Sequence, residues 1–258
     1  MPRKTGAPAG EVARIQLNMK EIQELLSNRP IFHARETEIT RPFGAKESLL
    51  PETTARQLAS PGLTCYGIGS DVLDFIVEKA KKGSRTLETG AGYSTLAFAL
   101  CGAAHIAITP SHDEADRIRE YGQEHRIDLS AVEFVIESSD SYLPRCERQD
   151  LDVVLLDGKH AFPWPMVDWF YTAEKLRLGG IMLIDDVAMK SVSILADFMR
   201  VDPGWELLRD FSGKTLAFRK TRRSTHDVAW HMQPWTTIAP GSWPNLMRRI
   251  NRFLKRKL

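Results

Sequence analysis

Between Arg85 and Lys220, short apolar runs alternate with amphipathic stretches, and that alternation leaves few folds open. "RTLET", "HIAIT", "VEFVIE", "LDVVLL" and "GGIMLID" read as strands. "STLAFALC", "SHDEADRIREYGQEH", the short "SYLPRC", "PMVDWFYTAEKLR" and "SVSILADFMR" read as the helices that follow them. A strand–helix–strand series needs crossovers, so the expected sheet is mostly parallel with helices on both faces, an α/β fold. "WELLRDF" and "TLAFRK", joined at Ser212-Gly213-Lys214, read as a closing antiparallel hairpin, which brings the sheet to seven strands. Ahead of the series, Ser70 is placed to cap a helix that Gly83 follows. Ser111 and Glu114 are spaced as a capping box.

At 258 residues the chain suits one such domain, taken as 66–222, between an N-terminal helical extension (1–65) and a C-terminal tail (223–258). In the extension, the first ten residues read as disordered. Val12, Ile15, Met19, Ile22 and Leu26 then keep helical spacing until Pro30, and "ARQLAS" suggests a short second helix. The net charge of +2 hides an asymmetry: "RRINRFLKRKL", residues 248–258, holds six Lys/Arg and no acid, leaving 29 basic against 33 acidic residues elsewhere, a net of −4. With Leu246, Met247, Ile250, Phe253, Leu254 and Leu258 at helical spacing, this tail is expected to dock on its own protein or on a partner subunit of a homo-oligomer. An anionic membrane surface is the other reading. No basic patch interleaved with aromatics occurs in the core, so no nucleic-acid partner is inferred. Cys65, Cys101 and Cys146 are widely spaced and form no CxxC, and neither a secretory signal nor an apolar span is present. A reducing, cytoplasmic setting is the expectation.

Two sets of strand ends carry the chemistry. "LETGAG" places Gly90, Ala91 and Gly92 between the first strand and the next helix, where open α/β sheets bind ligands. The glycines let a ligand approach the backbone. Glu88 there suits an ammonium group and opposes a phosphate, which favours a cofactor bearing an amino acid over a dinucleotide. Further along, Asp157 ends the fourth strand, and Asp185 and Asp186 end the fifth. Neighbouring strand ends lie roughly 5 Å apart. Three unpaired carboxylates so close repel one another and raise one another's pKa, and a hard divalent cation such as Mg²⁺ is the simplest remedy. Without a metal, Asp157 could contact a ligand or cap, Asp185 could cap the following helix, and His160 could be an ordinary loop histidine.

E-x-G-x-G followed by "YST" resembles the first motif of class I S-adenosylmethionine-dependent methyltransferases, with the "GYS" form of small-molecule O-methyltransferases, and the resemblance runs over roughly residues 66–220. It implies a Rossmann-like domain in which Glu88, Gly90, Ala91 and Gly92 hold the methionine part and Ser94 caps or contacts it. The family's ribose-binding acid at the end of the second strand is replaced by Thr109, with Asp113 or Glu114 as substitutes. Ser139 and Asp140 match the adenine-contacting positions, and Tyr66 and Gly67 pass near the cofactor carboxylate. Asp157, Asp185 and Asp186 match the ligands of metal-dependent O-methyltransferases. Asp157-Gly158-Lys159-His160 resembles the D-G-x-H form of sugar O-methyltransferases, whose histidine acts as base; Lys159 is the other candidate base. The implied reaction is O-methylation of a small-molecule or sugar hydroxyl, Mg²⁺-assisted or metal-independent. A nucleotide-dependent oxidoreductase and a non-catalytic Rossmann-like binding protein are the rivals from other classes.

Overall fold

The computed structural model describes residues 67–223, together with 20, 32–34, 63–64 and 228–236. Apart from Lys20, the helix read at 11–27 lies outside these residues, as do "ARQLAS", Tyr66 and the basic tail 244–258.

A two-stranded antiparallel ribbon, β1 (His33–Ala34) with β2 (Leu63–Thr64), precedes the domain. The domain then runs α1 (Ser70–Lys79), β3 (Arg85–Thr89), α2 (Tyr93–Leu100), β4 (Ala104–Ile108), α3 (His112–Glu124), β5 (Val132–Val135), α4 (Ser139–Tyr142) and β6 (Leu151–Leu156). It ends with α5 (Trp164–Ala173), β7 (Leu176–Ile184), α6 (Lys190–Val201), β8 (Trp205–Phe211) and β9 (Thr215–Lys220). The seven strands stand in the order β5-β4-β3-β6-β7-β9-β8. The first five are parallel, and β9 is antiparallel to both β7 and β8. This is the expected sheet.

Both faces are covered, which is why the central strands read as continuous apolar runs. Leu87, Val154, Leu156, Met182 and Ile184 join one core, with Leu143, Ala173 and Leu195. Val153, Leu155 and Leu183 point the other way, to Val72, Leu96, Phe98 and Ile118. The two-residue period of the strands thus sorts side chains between two helical layers.

Three local readings change. Gly69, not Ser70, stands at the cap of α1; Ser70 is its first helical residue. Gly83, at φ 81°, lies beyond the Ala80 C-cap and donates its N–H to Gly102 O at 2.8 Å. The helix expected to reach Arg177 stops at Ala173. There the Lys220 ammonium, 1% exposed, donates to the carbonyls of Ala173 at 2.6 Å and Leu176 at 2.8 Å. The Ala173 carbonyl is one that a helix end leaves without an intrahelical partner, and a cation from β9 satisfies it. Burial holds the Lys220 pKa below its usual value.

Candidate active site

Because β3, β4, β6 and β7 are parallel, their carboxyl ends form one edge. β9 runs antiparallel to β7, with Leu216 opposite Ile184, so the hairpin turn that holds Lys214 returns to that same edge. The edge divides into a glycine-loop end and a carboxylate end, which meet at Gly90. This residue has φ 88°, and a Cβ on it would stand 2.3 Å from the Asp157 carbonyl oxygen. Only glycine permits both the conformation and the approach.

At the glycine-loop end, the polar side chains form an internal network. Glu88 is 1% exposed; it accepts a short hydrogen bond from the Thr95 hydroxyl, and His105 Nε2 lies 3.1 Å from the same oxygen. Thr95 Oγ1 in turn accepts the Gly92 N–H at 2.9 Å. Thr86 Oγ1 lies 2.8 Å from His105 Nδ1, and the imidazole stacks on Phe98. Glu88 therefore supports the glycine loop through the contact of its Oε1 with Thr95. Gly92 is the N-cap of α2, and Ser94, 5% exposed, lies inside the first turn and does not cap. Buried Ala91 lies between the two glycines. Thr109, 1% exposed, is also occupied: it donates to Glu114 Oε2 at 2.8 Å and accepts the Ser111 N–H at 3.2 Å. Thr109 thus positions an acid and is no substitute for one.

The capping box forms only in part. Ser111 Oγ accepts the Glu114 N–H at 3.2 Å, but the Glu114 carboxylate goes to Thr109 and to His33 Nδ1, 2.6 Å away. Of the two proposed substitutes, Asp113 is exposed and Glu114 is tucked in at 14% side-chain exposure. Asp140 lies in the first turn of α4, whose N-cap is Ser138, and its carboxyl sits below the usual range because of Ser138 foremost. Trp164 and Lys159 lower it further. Lys159 Nζ stands 3.7 Å above the Trp164 ring.

At the carboxylate end the expected ligand set is rearranged. Asp185 is 2% exposed and turns into the sheet, where it accepts from Thr215 Oγ1 and from Lys214 Nζ at 2.5 Å. It is not available as a metal ligand. His160 takes its place: Nε2 stands 3.5 Å from Asp157 Oδ1 and 3.6 Å from Asp186 Oδ2, hydrogen-bonded to neither. Its loop is fastened by Ser191, which donates to the His160 carbonyl. Lys214 also lies 3.3 Å from Asp186 Oδ1. Asp186 has φ 55°, an uncommon conformation for a residue with a side chain, and it sits at the cluster.

Burial in the cleft floor pushes the Asp157 pKa up to about 6, helped by Asp185 and opposed by His160 and Lys214. For His160, burial acts downward, yet the carboxylates of Asp157, Asp186 and Asp185 outweigh it and raise the pKa above 6.5. Lys214 is raised in the same way against its own burial.

The Mg²⁺ fit fails on the donor set. The oxygen-only trio is not assembled, and a lysine ammonium already neutralises two of its members. One ligand atom each from Asp157, His160 and Asp186 does lie within 4.8 Å of the others. That mixed nitrogen–oxygen set suits a transition-type divalent ion better than Mg²⁺.

Sequence reading missed Lys214, Thr95, His105, His33 and Asp168. The first was accessible from topology, since a hairpin antiparallel to β7 must turn at the site. Asp168, 1% exposed on α5, faces the cleft floor: its Oδ2 is 3.4 Å and Thr89 Oγ1 is 3.1 Å from the place of a Cβ on Gly158. Burial raises its pKa, and Ser139 and Thr89 oppose that rise. An acid within the apolar "PMVDWF" run was the available signal.

Residues 87–187 match the Methyltransf_24 model, a methyltransferase domain. No curated protein matches the chain at significant similarity. Among solved structures, cofactor-bound Rv0187 from MTB is 14% identical, with 86% of this chain and 94% of that one covered at a TM-score of 0.53. A protein designated an rRNA methylase from Clostridium thermocellum is 13% identical, with 61% and 99% covered at 0.50. These likenesses carry the fold.

Proposed function

We propose that this chain, whose residues 87–187 match a methyltransferase domain, uses S-adenosylmethionine to methylate a hydroxyl of a small molecule, with His160 as proton acceptor. The observation that supports this most is the Asp157–His160–Asp186 cluster, set one backbone contact away from the glycine loop.

S-adenosylmethionine, when bound, supplies an electrophilic methyl group and leaves as a neutral thioether. The glycine loop, fixed by Glu88 and Thr95, offers backbone room for it, and Ser139 and Asp140 stand on the adenine side. His160 accepts the proton of the acceptor hydroxyl as the new O–C bond forms. Asp157 and Asp186 flank Nε2 and stabilise the imidazolium that results. The displacement needs in-line placement of oxygen, carbon and sulfur, which a rigid pair of strand-end loops favours.

The acids at this edge disfavour a phosphate backbone as acceptor, which supports a small molecule over a nucleic acid. Lys214 supports metal-independent chemistry, because it already offsets the charge of Asp185 and Asp186. The mixed trio keeps a metal-assisted reading as second choice, and a chelator separates the two. Calorimetric titration with S-adenosylmethionine, with NAD⁺ as control, tests the cofactor; absence of heat with S-adenosylmethionine would sink the proposal. Among the described residues no helix is long and apolar enough to cross a membrane.

A further inference from the structure

We propose that His105, buried against α2, is a positioning residue for the amino-acid end of the methyl donor: it fixes one oxygen of Glu88 and leaves the other for the donor's ammonium group. This rests on the methyl-donor reading above and adds a residue that acts through Glu88.

A histidine inside "HIAIT" is out of place as mere packing. β4 is paired on both sides, by β3 and β5, and Ile106, Ala107 and Ile108 after His105 are buried apolar residues. His105 is 1% exposed, and its ring lies nearly flat on Phe98 of α2, with centroids 4.4 Å apart and planes at 19°. Burying an imidazole is costly unless its nitrogens meet polar groups. Both meet one here, and both groups belong to β3. Nδ1 lies 2.8 Å from Thr86 Oγ1. Nε2 lies 3.1 Å from Glu88 Oε1 without closing a hydrogen bond. A carboxylate offers lone pairs only, which assigns the ring proton to Nε2. Nδ1 of the neutral ring then accepts from the Thr86 hydroxyl.

The arrangement at Glu88 is one-sided. Thr95 Oγ1, from α2, meets the same Oε1; it accepts the Gly92 N–H at 2.9 Å, so its own proton goes to Glu88. Both neighbours therefore fall on Oε1, and Oε2 receives no hydrogen bond among the described residues. The terminal torsion of a glutamate is broad, so a single contact at one oxygen leaves the carboxylate free to swing. Two contacts on that oxygen, one from the neighbouring strand and one from the following helix, fix its plane and give Oε2 a single position. The stack on Phe98 and the Thr86 hydroxyl fix the imidazole in turn. A carboxylate oxygen held still at the base of the glycine loop is preorganised for one cationic partner. The amino group is the part of the methyl donor that matches it.

The test is calorimetric binding of S-adenosylhomocysteine and of its deaminated analogue, which lacks only the amino group, to the full chain. In the wild type, loss of the amino group weakens binding. His105→Phe keeps a ring to stack on Phe98 and removes both nitrogens. It weakens the parent compound by about tenfold, the low end for a hydrogen bond to a charged group, and leaves the analogue within about twofold. A histidine that only held the fold together would weaken both compounds alike. Equal losses, or no loss, in His105→Phe overturn the assignment while the methyl-donor reading stands. A wild type indifferent to the amino group does the same. No binding of the parent compound to wild type overturns both. Should His105→Phe fail to fold, Thr86→Val, which takes away the partner of Nδ1, carries the same measurement. A loss confined to the parent compound supports the assignment, and equal or absent loss overturns it.

Discussion

The two halves of the cleft edge are built on opposite plans. At the glycine-loop end, Glu88, Thr95, His105 and Thr109 are at most 1% exposed and are engaged with one another or with the loop. At the carboxylate end, Asp157, His160 and Asp186 keep about a quarter of their side-chain surface. The contrast follows from what each half has to do. A loop that would hold a fixed ligand gains from polar groups locked against one another, as the Glu88–Thr95–Gly92 chain locks this one. On the proposed reading His160 takes and returns a proton: its ring keeps some contact with solvent, while Nε2 itself is buried beside Asp157 and Asp186.

The comparison can be broken by substitution. His160→Gln is expected to lower turnover by about a hundredfold to ten-thousandfold, the usual contribution of a general base, with S-adenosylmethionine affinity retained. Asp157→Ala should likewise abolish turnover and leave the fold intact; full activity in either variant removes the proton-acceptor role. Glu88→Gln should behave in the opposite sense. It removes a buried charge-assisted contact and should cost about 1.5–3 kcal/mol of stability or donor affinity, read by denaturant titration and calorimetry. An unaltered midpoint and affinity would mean that the network does not hold the loop.

The smaller effects sharpen the same contrast. His160 has a raised pKa, so its protonated form is favoured in the folded chain, and base-dependent turnover should climb as pH rises through a value above 6.5. The matching stabilisation is complete below 6.5 and fades as pH rises through the folded value. Asp186→Asn removes one flanking charge and should move that midpoint downward, by less than about one pH unit. A kinetic pH profile reads the shift, and an unmoved midpoint would detach Asp186 from His160. A chelator should have the smallest effect, leaving activity intact. Loss on EDTA treatment, restored by added divalent ion, would transfer the cluster to a metal.

The sheet was legible because both of its faces are buried, so each central strand is a short apolar run bounded by turn residues. The site was legible to the level of strand ends. Asp157 and Asp186 emerge where expected, but Asp185 and Asp186 lead opposite ways because neighbouring side chains alternate along a strand. Asp185 continues the inward alternation to Thr215, while Asp186 leaves it through its left-handed backbone. Glu114 reads as a cap in sequence because the spacing is right. Its release depends on a competing bond from Thr109, which spacing alone does not reveal.

The contact of Gly90 with the Asp157 carbonyl turns the main chain into a gauge. On the proposed reading, donor loop and acceptor loop meet here backbone against backbone. The gap across which a methyl group would travel is then set by the main chain and not by the residues that would line an acceptor pocket. A single added methyl at position 90 would meet that carbonyl and force the two loops apart, whatever the acceptor.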